Sequence, residues 1–226
     1  TLVSLPVKNQ SQETIFTITA DAREEQNDTY FEIAIPEQFK DAAIYMANLF
    51  NPSINPSAAN IKELYLDVAY ISSAYSMCYS NSGIEKLVLF TERVNGKAYP
   101  GFASSCQNML GVKYIDSIKM DYEIDNVGSG LFYPITCTEL KEADLSFKRS
   151  SINITSLSYF CSQCPNLEIL KLNNWRIANT VTHDNIFKNC SSLKSIFIDD
   201  ATSAANLISF LASADGANID TDLTVY

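Results

Sequence analysis

Histidine is nearly absent: His183 is the only one in 226 residues. Ser and Cys nucleophiles, zinc sites and general acid–base pairs draw mostly on histidine, so this one residue would have to serve them all. It lies in Thr-Val-Thr-His-Asp-Asn-Ile-Phe (180–187), polar surroundings that read as a surface connection, not a buried catalytic pocket. Glycine is also sparse, at seven residues, and no Walker loop, dinucleotide fingerprint or HExxH is present. Sixteen basic residues face twenty-six acidic ones, a net charge of −10 that disfavours nucleic acid and anionic lipid surfaces. No run approaches the roughly 18–20 apolar residues of a membrane helix, so no transmembrane segment is expected. The chain starts at Thr1 without a charged and then apolar leader. The expectation is a processed chain, which leaves room for a lipid anchor on a removed N-terminal segment.

What is present is a core and a repeat. Hydrophobic residues make up 46% and aromatics 11%, enough for a folded chain that buries roughly 70% of its unfolded surface. A small or polar slot residue is followed by apolar residues at +3, +6 and +8: Cys190 with Leu193, Ile196 and Ile198, and Cys164 with Leu167, Leu170 and Leu172. The frame recurs at Cys137 (Leu140, Ala143, Leu145), Cys106 (Met109, Val112, Tyr114), Asn81 (Ile84, Leu87, Leu89) and Ala58 (Ile61, Leu64, Leu66). Asn27 with Tyr30, Ile33 and Ile35 fits as well. Slot spacings from Asn27 to Cys190 are 31, 23, 25, 31, 27 and 26.

Four residues before the slots stand Ile54, Met77, Phe102, Tyr133, Phe160 and Ile186, which predicts one inward anchor per coil. The +6/+8 pair has the period of a strand, so the coils should stack into a parallel sheet with leucine-type residues inward. No coil buries that face alone, so the array needs caps. Residues 14–19 read as a strand, and residues 37–50 as an amphipathic helix carrying Phe39, Ala43, Met46 and Phe50. Ser203 is the predicted cap of a helix to about 213 with Leu207, Phe210 and Leu211 inward. Ala217 would open a last coil through Leu223 and Val225. The predicted organisation is one continuous domain: an N-terminal cap and irregular coil over 1–53, repeats over 54–200, and a C-terminal cap over 201–226.

The string Ile186-Phe187-Lys-Asn-Cys190-Ser-Ser-Leu193-Lys-Ser-Ile196-Phe-Ile198 resembles the BspA-like leucine-rich repeat, and Phe160-Cys-Ser-Gln-Cys164-Pro-Asn-Leu167-Glu-Ile-Leu170-Lys-Leu172 is similar to it. The likeness is specific for about residues 98–200 and weaker for 54–97. It implies an α/β fold: a right-handed leucine-rich-repeat solenoid of six to eight coils. A parallel β-sheet would form one face, with helical or irregular connections on the other and capped ends. It further implies a surface or secreted protein of the gut or oral bacterial type, used in adhesion and ligand binding. The chain departs from the pattern in lacking a Leu-Pro step after the strand, in a long 106–137 coil and in Ala143, where a large aliphatic is usual.

Cys106, Cys137, Cys164 and Cys190 all fall in the slot, where a small side chain fits a tight turn and bonds weakly to the neighbouring loop. Disulfides between successive slots are an alternative, since stacked coils lie about 4.8 Å apart. A metal site lacks a second CxxC to join Cys161-x-x-Cys164, and no metal or cofactor is expected. The positions between the inward ones form the candidate ligand face: Tyr65, Val88, Phe90, Lys113, Ile115, Glu142, Asp144, Ile169, Lys171, Asn173, Phe197 and Asp199. Large apolar side chains on a face normally in water often mark a partner site. The functional expectation is a non-enzymatic, extracytoplasmic module that holds a protein or glycan, host-derived ligands included, on the sheet. The alternative is a scaffolding segment of a larger cell-surface protein.

Overall fold

A computed structural model of the chain describes residues 2–9, 11–21, 30–33, 38, 44–46, 48–67, 71–73, 77–91, 113–120, 126–127, 137–146, 151–212 and 224–226. In chain order these form β1 (Leu2–Lys8), β2 (Thr14–Asp21), β3 (Tyr30–Ile33), β4 (Ile44–Tyr45), β5 (Glu63–Asp67), β6 (Ile71–Ser73), β7 (Lys86–Thr91), β8 (Tyr114–Met120), β9 (Asn126–Val127), β10 (Glu142–Asp144), β11 (Ile152–Ser156), β12 (Ile169–Lys171), β13 (Trp175–Thr182), β14 (Ser195–Phe197), α1 (Ala201–Leu211) and β15 (Thr224–Val225). Eight strands make one all-parallel sheet in the order β15-β14-β12-β10-β8-β7-β5-β3. A second parallel row, β13-β11-β9, lines another side. Three successive coils thus give a strand to each row, and the chain is a parallel β-solenoid with few helices.

The repeat frame accounts for the core. Ile61, Ile84, Leu140, Leu167 and Leu193 at +3, and Leu64, Leu87, Ala143, Leu170 and Ile196 at +6, have no exposed surface. Removing such a side chain from water contributes about 1.5–3 kcal/mol, and each does so only against the coils beside it. At the entry to each strand one carbonyl receives two N–H donors from the next coil. Lys62 accepts from Glu85 and Lys86, Glu85 from Lys113 and Tyr114, Lys113 from Lys141 and Glu142, Lys141 from Glu168 and Ile169, and Glu168 from Lys194 and Ser195.

That ladder corrects the frame in one coil. Its steps from Lys62 to Lys194 are 23, 28, 28, 27 and 26 residues, so the slot equivalent between Asn81 and Cys137 is residue 109, not Cys106. Both residues lie outside the described ones. The shift turns the strand over: Ile115 pairs with Leu87 and Ala143 in the inward row, while Tyr114, expected inward, is 46% exposed. Period-two registers slip similarly at the ends. Phe31 and Ile33, paired with Leu64 and Leu66, form the buried pair of the first coil in place of Ile33 and Ile35. Val225 pairs with Ile196 in the last, two positions from the expected frame. Asn27 and Ala217 lie outside the described residues.

The N-terminal cap differs from expectation as well. β1 and β2 form an antiparallel hairpin, and Lys8 of β1 pairs with Tyr45 of β4, which runs parallel to β6. Of the helix expected over 37–50, residues 44–46 and 48–50 are instead a short strand followed by a turn with Asn48 at φ 58°, and Phe39 and Ala43 lie outside the described residues. Met46 and Phe50 are buried all the same, because the turn carries them inward. Phe50 takes the anchor place, donating its N–H to Met77 O (2.9 Å), and Ile54 is 59% exposed. Met77, Phe160 and Ile186 are buried as anchors, whereas Phe102 and Tyr133 lie outside the described residues.

The described connections are irregular turns, apart from a short 3-10 helix over Pro56–Asn60. Tyr159, Cys161 and Gln163 in one coil, and Asn185, Phe187 and Asn189 in the next, alternate into the left-handed region (φ 51–64°). Such φ values are costly without glycine. Here bonds between successive turns hold them: Tyr159 N–H to Asp184 O (2.7 Å), Phe187 N–H to Phe160 O (3.0 Å) and Gln163 N–H to Lys188 O (2.6 Å). The buried slot side chains complete the stack. Cys190 Sγ donates to Cys161 O at 2.7 Å, and Asn81 Nδ2 donates to Phe50 O at 2.8 Å and Ala58 O at 3.2 Å.

At the other end, Asp200, not Ser203, caps α1, accepting from the Ser203 N–H (2.8 Å) and hydroxyl (2.7 Å). Leu207 and Phe210 are buried, as the helical spacing requires.

Candidate binding face

The outward positions of the large sheet come together as two rows. Glu63, Lys86, Tyr114, Glu142, Ile169, Ser195 and Thr224 lie in register along one. Tyr65, Val88, Asp116, Asp144, Lys171 and Phe197 lie along the other. Of the predicted ligand residues, Ile115 leaves this face for the core, as its register demands. Val88 stays in the outward row yet is only 2% exposed and stands apart from the main core cluster. Asp144 is likewise buried, accepting the Ser146 N–H at 3.1 Å. Phe90 belongs to β7, and its side chain lies outside the described ones.

Most of the exposed polar positions are tied to the next coil. Lys113 bonds Glu85 at 2.8 Å, Lys171 bonds Glu142 at 2.7 Å, and Lys194 stands 3.6 Å from Glu168. The Lys113 hydrogen bond and charge hold the Glu85 carboxyl below its ordinary value, and Glu85 raises the Lys113 ammonium in turn. Tyr65 bonds Glu63 at 3.4 Å, and the Lys86 ammonium lies 5.2 Å from its ring centre. The Asn173 N–H donates to Ser146 Oγ (3.0 Å), and Asp199 accepts from the Asn174 N–H (2.9 Å) and pairs with Arg176 (3.1 Å). The carboxylates of Glu142 and Asp199 are thus neutralised within the chain. Among the described residues no three His, Cys, Asp or Glu side chains are grouped to hold a metal ion.

The face changes character toward β15. Ile169 and Phe197 are half-buried, and the Phe197 ring stacks on Tyr226 with centroids 4.9 Å apart and planes 11° from parallel. Tyr226 is 62% exposed and is fixed by backbone bonds from Ile198 N–H to its carbonyl and from its N–H to Ile196 O, both 2.9 Å. This aromatic ledge was missed in the sequence because the strand register at the C-terminal end was read two residues away.

The remaining chemistry-bearing residues are occupied structurally. His183 Nδ1 lies 2.9 Å from Val181 O, a contact that requires it to be the donor, and the ring stacks on Phe210 at 4.0 Å. Cys78, Cys137, Cys161, Cys164 and Cys190 are buried free thiols, and burial with neighbouring thiols pushes the Cys164 thiol well above its ordinary value. Trp175 is buried with its Nε1–H on Leu145 O at 2.7 Å. No helix among the described residues is long and apolar enough to cross a membrane. No family model, curated protein or solved structure matches the chain.

Proposed function

We propose that the protein is a non-enzymatic, extracytoplasmic recognition module of the leucine-rich-repeat kind, resembling BspA-like surface proteins, which holds a protein or glycan on its sheet face. The observation that carries this reading is the Phe197–Tyr226 ledge: two stacked rings, one largely in water, beside half-buried Ile169 on a sheet stiffened by inter-coil ion pairs. Pre-set aromatic surface of this kind binds at low entropic cost. The test is a screen of the protein against extracellular-matrix proteins and a glycan array, beside a Phe197→Ser, Tyr226→Ser double variant shown to be folded. Binding present in the parent and lost in the variant supports the reading; binding unchanged by the variant removes the face from it.

A scaffolding role in a larger cell-surface protein is the second reading. It is favoured by the burial of Val88 and Asp144 on the outward rows and by the use of Glu85, Glu142 and Glu168 to stitch coils together. Sedimentation over a wide concentration range separates the two, since self-association abolished by the same double variant would assign the ledge to assembly.

A further inference from the structure

The repeat fails most visibly at Ile54, an apolar residue in an anchor position that the fold leaves in solvent. It stands on the rim of a cleft of about 320 Å³ between the N-terminal hairpin and the turns of the first coil. Pro6, Lys8 and Gln12 line one side, and Asn48, Leu49, Ile54 and Asn55 the other. Among the described residues the polar groups there are largely unspent. Lys8 has no acidic partner among the described residues. The nearby Glu13 carboxylate instead accepts from Asn9 Nδ2 at 2.9 Å. Asn55 uses its Nδ2 on Leu49 O (2.9 Å) and Asn48 O (3.5 Å), which leaves its side-chain oxygen as an acceptor. Asn48 accepts from Asn51 Nδ2 at 3.5 Å through its oxygen, which leaves its own amide hydrogens as donors. The cleft thus offers one cation, amide donors from Asn48 and Gln12, amide acceptors from Asn55 and Gln12, and an apolar wall of Pro6, Leu49 and Ile54.

We infer that this cleft is a second ligand site, independent of the sheet face, and that it takes an acidic sugar: a pyranose ring carrying a carboxylate. The volume is at the lower end of small-ligand sites and suits one or two rings. A carboxylate meets Lys8, ring hydroxyls meet the amides, and the C–H face of the ring covers Ile54 and Leu49. In a chain of net charge −10 a lysine with no acidic partner among the described residues, beside three amides, selects for this anion over a neutral sugar only at short range.

The experiment follows the side-chain amide resonances of Gln12, Asn48 and Asn55 in the whole chain during titration with glucuronate, N-acetylneuraminate, glucose and acetate. The expected result is saturable shifts with one or both acidic sugars and none with glucose or acetate at equal concentration. Lys8→Gln should weaken that binding about tenfold or more, and Ile54→Ala several-fold. Both side chains are at the surface, and an unchanged thermal midpoint confirms that each variant folds. Equal binding of glucose, equal binding of acetate, insensitivity to Lys8→Gln, or no shift with any probe would each overturn the assignment.

Discussion

Asn81 is the position at which the stacking of coils can be tested most directly. It is fully buried and works in both directions. Its Nδ2 donates to Phe50 O (2.8 Å) and Ala58 O (3.2 Å), and its Oδ1 accepts from the N–H groups of Gly83 (2.9 Å) and Ile84 (3.2 Å). Asn81→Ala strands these four groups unequally. Ala58 O keeps the Ile61 N–H at 3.2 Å, and Gly83 is half-exposed, so water can reach it. Phe50 O and Ile84 N–H lose their partner inside the core. At about 1–3 kcal/mol for each orphaned group the loss is about 4 kcal/mol, or about 8–16 °C in midpoint for a chain of this size. Urea and thermal unfolding should be followed by far-UV circular dichroism and by the fluorescence of Trp175, the single tryptophan. Trp175 is several coils away, so coincident transitions mean that the array melts as a unit, whereas a CD change that precedes the fluorescence means that the N-terminal coils open alone. Asn81→Cys, which installs the slot residue of later coils, should retain more stability than alanine. A loss below about 1 kcal/mol for Asn81→Ala would refute the view that the slot side chain joins coil to coil.

Four further outcomes follow from other contacts of the fold. Ile115→Glu should prevent folding or cost more than about 3 kcal/mol, while Tyr114→Glu next to it should stay within about 1 kcal/mol; equal effects in urea titrations would contradict the register of β8. A thiol reagent should label none of Cys78, Cys137, Cys161, Cys164 and Cys190 in the native protein and all of them in denaturant, as peptide mapping would reveal. Because burial raises the Cys164 thiol in the folded chain, the unfolded chain loses its proton first, so stability should fall as pH rises above the ordinary value of 9.0. The Asp200 carboxyl is shifted the other way, held down by the Ser203 hydroxyl, the Ser203 N–H and Arg176. Its contribution is present above the ordinary carboxylate range and lost as pH falls through it, and hydrogen exchange in α1 should show this loss in the parent but not in Asp200→Asn.

The repeat was legible because three inward positions per coil must be apolar whatever the connection between them. Leu167, Leu170 and Leu172, or Leu193, Ile196 and Ile198, leave one frame open. The 106–115 stretch was misread because Met109, Val112 and Tyr114 satisfy that frame as well as Val112 and Ile115 satisfy the correct one, and tyrosine is at home on either side of a sheet. At the two ends a slip of two residues preserves the alternation, so periodicity cannot detect it. The helix expected over 37–50 gives way over 44–46 and 48–50 for another reason. A strand followed by a turn buries both Met46 and Phe50, as a helix would, and the pairing of β4 with β1 and β6 and the left-handed Asn48 distinguish the two.

Direction and exposure are separate properties, and the sequence carries only the first. Val88 and Asp144 point outward by register and are still buried, so a list of outward positions overstates the free surface. The cleft was invisible for a related reason: β1 and the turns around Asn48 to Asn55 are joined by the Lys8–Tyr45 pairing and the Ser4–Ser57 bonds, short contacts with no pattern of their own.

The end of the second strand row reveals how an array of identical bonding units can be stopped without a special fold. β13 offers unpaired backbone groups at Ile177, the kind of edge that invites another strand. Helix α1 meets both of them with side chains: Ser203 Oγ accepts the Ile177 N–H and Asn206 Nδ2 donates to the Ile177 carbonyl, each at 2.8 Å. Ser203 can accept there because its own hydroxyl proton is given to Asp200 Oδ2 at 2.7 Å. Helix capping and edge capping are therefore one relay, Asp200 to Ser203 to Ile177, in which each group has a single free role. A further strand beside Ile177 would have to displace α1 and undo its N-cap in the same step, so the two costs add. Buried Leu207 and Phe210 hold α1 against this end of the row, and Asp200, Ser203 and Asn206 fix where along it the helix sits.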